Sequence, residues 1–330
     1  MADTITLAHG SGGKAYKELI ESVFIPAFSN ECLSRLTDSA VCSGADKLAF
    51  TTDSYCVSPL FFPGGDIGRL SVCGTVNDLS ASGAVPKYIS VGMIIEAGFP
   101  IDSLKRICAS MAQAAKEANV IIVTGDTKVV EKGNADGIYI NTAGIGLFEC
   151  EPVPQQVMAG DMIIASGQIG NHGIAIMSAR ENIEFTPPFE SDAAPLNRLA
   201  QAAMRICPEV HAMRDPTRGG LAQSLCEWSC SDIDIAVYDS KIPQKVSVSS
   251  ACELLGLDIM QIANEGVMLF AVPRDYAEAV VQALRKERYG EHACIIGEAI
   301  KGTGNVYAVS ELGTKRIIRM PVGELLPRIC

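Results

Sequence analysis

Residues 101–118, Ile101-Asp102-Ser103-Leu104-Lys105-Arg106-Ile107 through Lys116-Glu117-Ala118, run almost directly into Val120-Ile121-Ile122-Val123-Thr124-Gly125-Asp126-Thr127-Lys128. Ile101, Leu104, Ile107, Met111 and Ala115 recur at helical spacing, so an amphipathic helix with one apolar face is expected over 101–118. The run 120–123 is continuously apolar and β-branched, the pattern of a buried strand. A helix laid against a buried strand indicates an α/β layer architecture.

Working outward, strands are expected at 48–54, 88–95 and 137–148, and the small residues of 75–84 suggest a helix packed closely against a neighbour. Pro152 and Pro154 mark the best linker. Beyond it, strands are expected at 161–165, 234–238 and 267–272, and three short β-like runs at 294–298, 306–309 and 316–320. Helices are expected from 174, at 194–206 and 246–255, and over 275–289, where Gly290 would stop the last one. Asp215 and Pro216 suit the N-cap and first position of a further helix. The fold class is therefore α/β, or α+β, in two domains, 1–152 and 153–320, of mixed sheets with flanking helices, followed by a mobile tail, 321–330.

The chain has 330 residues, 48% apolar and 20% charged, which is ample for two cores. A net charge of −11 argues against sequence-independent nucleic-acid binding. Such a protein still binds an anionic nucleotide if divalent metal bridges its carboxylates to phosphate. No apolar run suits a membrane helix, and Met1-Ala2-Asp3-Thr4 does not begin a signal peptide, so a cytoplasmic protein is expected. The twelve cysteines contain no C-x-x-C pair and are expected as thiols, without a zinc site.

Several stretches carry candidate chemistry, each with a structural reading beside the functional one. His9-Gly10-Ser11-Gly12-Gly13-Lys14 is a glycine-rich loop entering a helix, suited to phosphate but without the P-loop spacing, and by itself reads more readily as a flexible helix start. Ser166-Gly167-Gln168-Ile169-Gly170-Asn171-His172-Gly173 is an anion site at a helix start or a tight turn. Asp53 ends an apolar strand and either faces a ligand or caps a turn. Asp78 lies among Val76, Leu79, Ala81 and Ala84, where a buried carboxylate needs a cation or donors.

The chain closes on Pro327-Arg328-Ile329-Cys330. Pro327 has no amide donor and disfavours helical geometry at Leu326, so an extended tail is expected. At about 3.3–3.6 Å per residue, 322–330 reaches roughly 30 Å, enough to carry the sulfur into a pocket of its own body or of a partner. The tail is a frayed end or a visiting thiol. Prenylation does not fit, since it wants the cysteine fourth from the end.

Taken together, Thr52-Asp53-Ser54, Asn77-Asp78-Leu79-Ser80, Gly125-Asp126-Thr127-Lys128 and Pro216-Thr217-Arg218-Gly219-Gly220 resemble the ordered signatures of the PurM, or AIR-synthase, superfamily. The glycine-rich loop, Gly125-Asp126-Thr127-Lys128-Val129-Val130, Asn264-Glu265-Gly266 and above all the terminal Pro-Arg-Ile-Cys resemble that superfamily's hydrogenase-maturation branch, end to end and without departure in these motifs. The resemblance implies an ATP-binding, dimer-forming N-terminal domain and a second AIR-synthase-like domain.

The resemblance also implies a reaction. A partner carbamoyltransferase, HypF, loads a carbamoyl group onto Cys330, and ATP phosphorylates the carbamoyl oxygen. Loss of phosphate and of the N–H protons leaves a thiocyanate, passed to a HypC–HypD scaffold that builds the cyanide ligands of nickel–iron hydrogenase. Implied Mg²⁺ ligands are Asp53, Asp78 and Asp215, with Asp126 left open. Implied nucleotide contacts add Gly12, Gly13, Lys14, Asn77 and Asp126. Glu265, assisted by Lys128, is the implied base for the carbamoyl nitrogen. Alternatives are another ATP-dependent enzyme of the superfamily with a diffusible substrate, or a non-enzymatic maturation scaffold.

Overall fold

The computed structural model describes residues 4–10, 13–33, 39–40, 42–321 and 329–330. Two short helices, α1 (Gly13–Leu19) and α2 (Ile25–Phe28), flank a π-helical turn. They lead to β1 (Leu48–Tyr55), the small strands β2 (Phe61–Phe62) and β3 (Gly65–Asp66), and α3 (Ile67–Ala81). There follow β4 (Val85–Glu96), α4 (Ile101–Ala118), β5 (Ile121–Val130) and β6 (Ile138–Leu147). The first sheet has the order β1-β6-β4-β5, with β4 and β5 parallel across the α4 crossover.

The α4 stripe of Ile101, Leu104, Ile107, Cys108 and Met111 is buried, as its periodicity predicts, and the helix stops at Asn119 in the left-handed conformation, φ 57°. Almost every side of α3 is buried, because it lies between the sheet, α4 and the second half of the chain. Its small residues permit this. A Cβ on Gly68 would stand 2.5 Å from the Ile107 carbonyl oxygen of α4.

The second half contains β7 (Asp161–Ala165), α5 (Asn171–Arg180), α6 (Asn197–Ile206), β8 (Ala212–Arg214), α7 (Gly220–Trp228) and β9 (Ile233–Tyr238). It continues with α8 (Val246–Leu255), β10 (Leu269–Pro273), α9 (Arg274–Leu284), β11 (Cys294–Lys301), β12 (Val306–Val309) and β13 (Lys315–Ile318). Its sheet has the order β13-β12-β9-β11-β7-β10-β8 and is antiparallel except where β12 joins β9. Arg69 of α3 ties the halves together, donating to the Ala193 carbonyl at 2.6 Å and to Glu117 and Tyr289 at 3.0 and 3.2 Å.

The structure departs from the sequence reading in informative places. The strand expected at 120–123 continues to Val130, because the twelve-residue β4 offers it a partner throughout. Asp126 and Lys128 are therefore strand residues. Asp215 is not a helix cap: α7 begins only at Gly220, behind Gly219 and Gly220 at φ 73° and 60°. That frees the Asp215 carboxylate for other work. The helix expected from 174 starts at Asn171, and the one expected to reach 289 ends at Leu284. No helix among the described residues is long and apolar enough to cross a membrane.

Candidate active site

The pleat of β1 places Thr51, Asp53 and Tyr55 on the face that meets α3. The Thr51 hydroxyl donates to Asp78 of α3 at 2.9 Å, and the Tyr55 hydroxyl donates to Asp53 at 2.9 Å. Gly74 makes this approach possible, since a Cβ there would lie 2.2 Å from the Tyr55 oxygen. Burial pushes the Asp78 carboxyl up to about 6, and the Asp53 charge adds to it, while Thr51, Arg214 and Arg218 oppose the shift.

Asp215, on the loop before α7, joins the same group. Its carboxyl is pushed up to about 7 by burial and then by the charges of Asp78 and Asp53. Glu265 completes the cluster. It is 2% exposed, and its carboxyl is held well above the usual range by burial first, then by Asp215, Asp192, Asp53 and Asp78. Its Oε1 has no hydrogen-bond partner, a state shared among the described buried side-chain oxygens and nitrogens only by Asp192 Oδ2.

Asn264-Glu265-Gly266 is the knot that brings these segments together. The Asn264 side chain accepts from the Gly170 amide at 2.7 Å and donates to the Pro216 and Ile262 carbonyls at 2.9 and 3.0 Å. The Glu265 amide donates to Asp192 at 3.2 Å. At Gly266 a Cβ would meet the Asp192 carbonyl oxygen at 1.8 Å, so glycine is required. The start of α5, one end of the 166–173 stretch, is occupied internally, because Asn264 takes the Gly170 amide and Ala263 takes that of Gly173. Those two amides are thereby used in holding the turn against 263–264.

The end of the chain lies in this cluster. Ile329 is 3% exposed, and its main-chain oxygen accepts from His172 Nε2 at 2.8 Å. The Cys330 main-chain oxygen accepts from the Cys56 amide at 3.3 Å and from the Cys56 thiol at 3.6 Å. Burial pushes the Cys330 thiol far up; the charges of Glu265 and Asp53 push it further, and Arg218 opposes them. The sulfur thus rests as a protonated thiol among the carboxylates. Pro327 and Arg328 lie outside the described residues.

Asp126 and Lys128 are placed differently. Both are exposed on the opposite face of the sheet, paired with each other at 3.4 Å, with Lys128 68% accessible. Lys128 is not brought against Glu265 within one chain; the cation facing Cys330 is Arg218. A cavity of about 670 Å³ on this outer face is lined by Asp126, Lys128, Asn141, Ser54 and Cys56. Cys56, which holds Cys330, is where the two faces meet. A second, apolar groove of about 480 Å³, lined by Tyr16, Ile20, Phe24, Phe28 and Ile122, shares Asp126 as a wall.

Gly10 packs on the same strand, where an added Cβ would meet Val129 at 2.7 Å. His9 is used locally, accepting from the Thr6 amide at 3.0 Å. Gly13 opens α1, and Lys14 extends into solvent with Glu18 at 3.7 Å. Gly12 lies outside the described residues. Asn77 does not face a ligand: it is wholly buried, donating to the carbonyls of Ala194 and Glu265 at 3.1 and 3.5 Å and accepting from the Leu196 amide at 2.8 Å. It positions the Glu265 backbone.

The Asp53 charge raises the proton affinity of Asp78, and both raise that of Asp215, but among the described residues no three Asp, Glu, His or Cys side chains form a ready metal cage. The set suits a hard divalent cation that completes its shell with phosphate and water. Arg214, Arg218, Cys56, His172 and Asp192 were missed as site residues in the sequence. Arg218 and His172 sit inside quoted stretches; the others are joined to the site only by tertiary contacts.

Comparison with known proteins identifies the relatives of the chain. Residues 36–148 match the profile of the AIR synthase related protein, N-terminal domain, and residues 158–309 that of its C-terminal domain. Carbamoyl dehydratase HypE of Escherichia coli (strain K12) is 43% identical over 337 residues, covering 99% of this chain and 100% of the relative. The solved structure of the hydrogenase maturation protein HypE in complex with ATP superposes with a TM-score of 0.95 at 43% identity, covering 99% and 100% of the two chains. A HypE–HypF complex matches with a TM-score of 0.81 at 48% identity, covering 92% and 99%.

Proposed function

The chain belongs to the AIR synthase related family, in its carbamoyl dehydratase HypE branch, and on that premise we propose that it dehydrates an S-carbamoyl group on Cys330 to S-cyanide with ATP. The observation that carries this reading is the seat of Cys330 beside Glu265 in the carboxylate cluster of its own chain. The cyanide so formed supplies the ligands of nickel–iron hydrogenase.

The carbamoyl oxygen is a very poor leaving group until it is phosphorylated. Its attack on the γ-phosphate expels ADP. Two protons then leave the nitrogen as the carbon–oxygen bond breaks; one ends on inorganic phosphate and the other in bulk solvent. Phosphoryl transfer depends chiefly on alignment and charge neutralisation. Mg²⁺ would be held by Asp53, Asp78 and Asp215, where it would neutralise three of the charges that keep Glu265 protonated. Glu265 is then the base that takes a nitrogen proton, its unpartnered Oε1 available for it. Burial of the cluster excludes bulk water that would otherwise hydrolyse the activated group.

The face that carries Asp53 suits the nucleotide. Its apolar groove with Tyr16, Phe24 and Phe28, floored by Val91 and Met93, has the size and chemistry for a base, whereas Lys128 lies on the opposite face, away from Glu265. The open sheet carries Phe50 at 67% exposure, together with exposed Leu48 and Ile94, an apolar surface suited to a second copy in a homodimer. HypF as carbamoyl donor and HypC–HypD as cyanide acceptor complete the assignment, with the solved HypE–HypF complex in support of the first.

The direct check is ADP release. It should require prior carbamoylation of Cys330 and vanish in Cys330→Ala. Equal turnover by the alanine variant would favour a diffusible substrate instead.

A further inference from the structure

Resting on the reading of Cys330 as carrier, we propose that His172 is a positioning residue that seats the tail through the main-chain oxygen of Ile329, so that its grip is indifferent to what the Cys330 sulfur carries.

The hydrogen bonds leave one consistent arrangement. A carbonyl oxygen only accepts, so His172 Nε2, 2.8 Å from the Ile329 oxygen, must carry the proton. In the neutral ring Nδ1 is then an acceptor, and the Ser191 hydroxyl at 2.8 Å must donate to it. That leaves the Ser191 oxygen to accept from the Ala193 amide at 3.1 Å. Ser191 itself is fixed by its amide on the Pro63 carbonyl, 2.8 Å, and Phe62 meets the imidazole edge-on with ring centroids 5.7 Å apart. His172 is wholly buried, and burial lowers its pKa to about 4, with the bond to Ile329 opposing, so the ring is neutral in ordinary buffers.

The geometry also assigns a reason for gripping the backbone. Besides the buried Ile329 side chain, the described tail is anchored by two main-chain oxygens, that of Ile329 on His172 and that of Cys330 on the Cys56 amide. Neither anchor involves the sulfur as donor or acceptor. A free thiol, a thiocarbamate and a thiocyanate therefore present the same handles, and the reacting carbon is placed by the chain rather than by its own changing polarity. When the tail leaves, the His172 donor loses its protein acceptor, which biases the equilibrium towards the seated state.

Two measurements test this without nucleotide or carbamoyl donor. In the first, alkylation of Cys330 by iodoacetamide is followed by peptide mass spectrometry, with exposed Cys150 and Cys230 as references. His172→Ala should speed labelling of Cys330 by roughly tenfold or more, whereas His172→Gln, which retains an N–H donor, should remain nearer the parent rate. An unchanged rate in His172→Ala would overturn the proposal. Should that variant fold poorly, the second measurement leaves the body intact: the ¹⁵N-imidazole N–H signal of His172 is compared in the full chain and in one lacking Ile329 and Cys330. A signal protected from exchange only in the full chain supports the seat; equal protection in both contradicts it. If both behave as expected while ATP fails to convert the carbamoylated protein, the dehydratase reading falls and the seat stands.

Discussion

Asp53 and Asp126 lie one register step apart on the same sheet and face opposite sides of it. Asp53 aligns through Thr142 and Val91 with Gly125, the residue before Asp126. Period-two alternation does the rest. The inner face gathers carboxylates, the carrier thiol and the apolar groove floored by Val91 and Met93, while the outer face carries Lys128 and the 670 Å³ cavity.

Asp78 should therefore matter to metal–nucleotide binding more than Asp126 does. Asp78→Asn is isosteric and retains an acceptor for Thr51, so the fold should survive. Its affinity for MgATP, measured by calorimetry, should fall by roughly tenfold to a hundredfold. Unchanged affinity would remove Asp78 from the metal site.

Glu265→Gln should bind nucleotide yet accumulate the carbamoylated protein. It should also stabilise the metal-free body at alkaline pH. The carboxyl proton affinity is raised in the folded state, so the parent protein holds a proton there that the unfolded chain releases above about pH 4.5. That stability is fully present below about pH 4.5 and is lost as pH rises through the folded value. The advantage of glutamine, zero in acid, should grow steadily as pH rises to 8 in urea titrations. An advantage that shrank as pH rose would contradict the assigned shift.

How much of this was legible in the sequence depended on the range of each signal. Residues 101–118 announced their helix because burial on one face imposes a local period, and 161–165 and 246–255 were equally local. The candidate acids were legible too, being charges in apolar or glycine-rich surroundings. Their distribution over two faces was not, because it depends on β5 continuing through Asp126 in register with β4. Asp215 was misread as a cap for the same reason: a Pro after an Asp satisfies the local rule, and only the close approach of Gly220 to the Ile262 carbonyl, 2.5 Å from its would-be Cβ, shows why the helix waits. His172 lies in the quoted 166–173 stretch, but nothing there points to its partner, which is 157 residues away.

Asn264→Ala should cost about 2–4 kcal/mol, because it strips a buried amide of Gly170 of its acceptor and releases the Pro216 loop that carries Asp215. Urea unfolding measures the loss. A change under 0.5 kcal/mol, by roughly the standard for surface substitutions, would show that the knot is not structural.

Phe50→Glu on the open sheet should shift the protein to monomer in sedimentation, since a carboxylate in the centre of an apolar contact is costly to desolvate. An unaltered dimer would place the contact elsewhere.

The most direct test of the whole account is the intact mass of the chain after carbamoylation, before and after MgATP. An adduct on Cys330 that loses the mass of one water, only with ATP and not in Glu265→Gln, is the predicted result. An adduct on Cys330 that ATP leaves unchanged would contradict it.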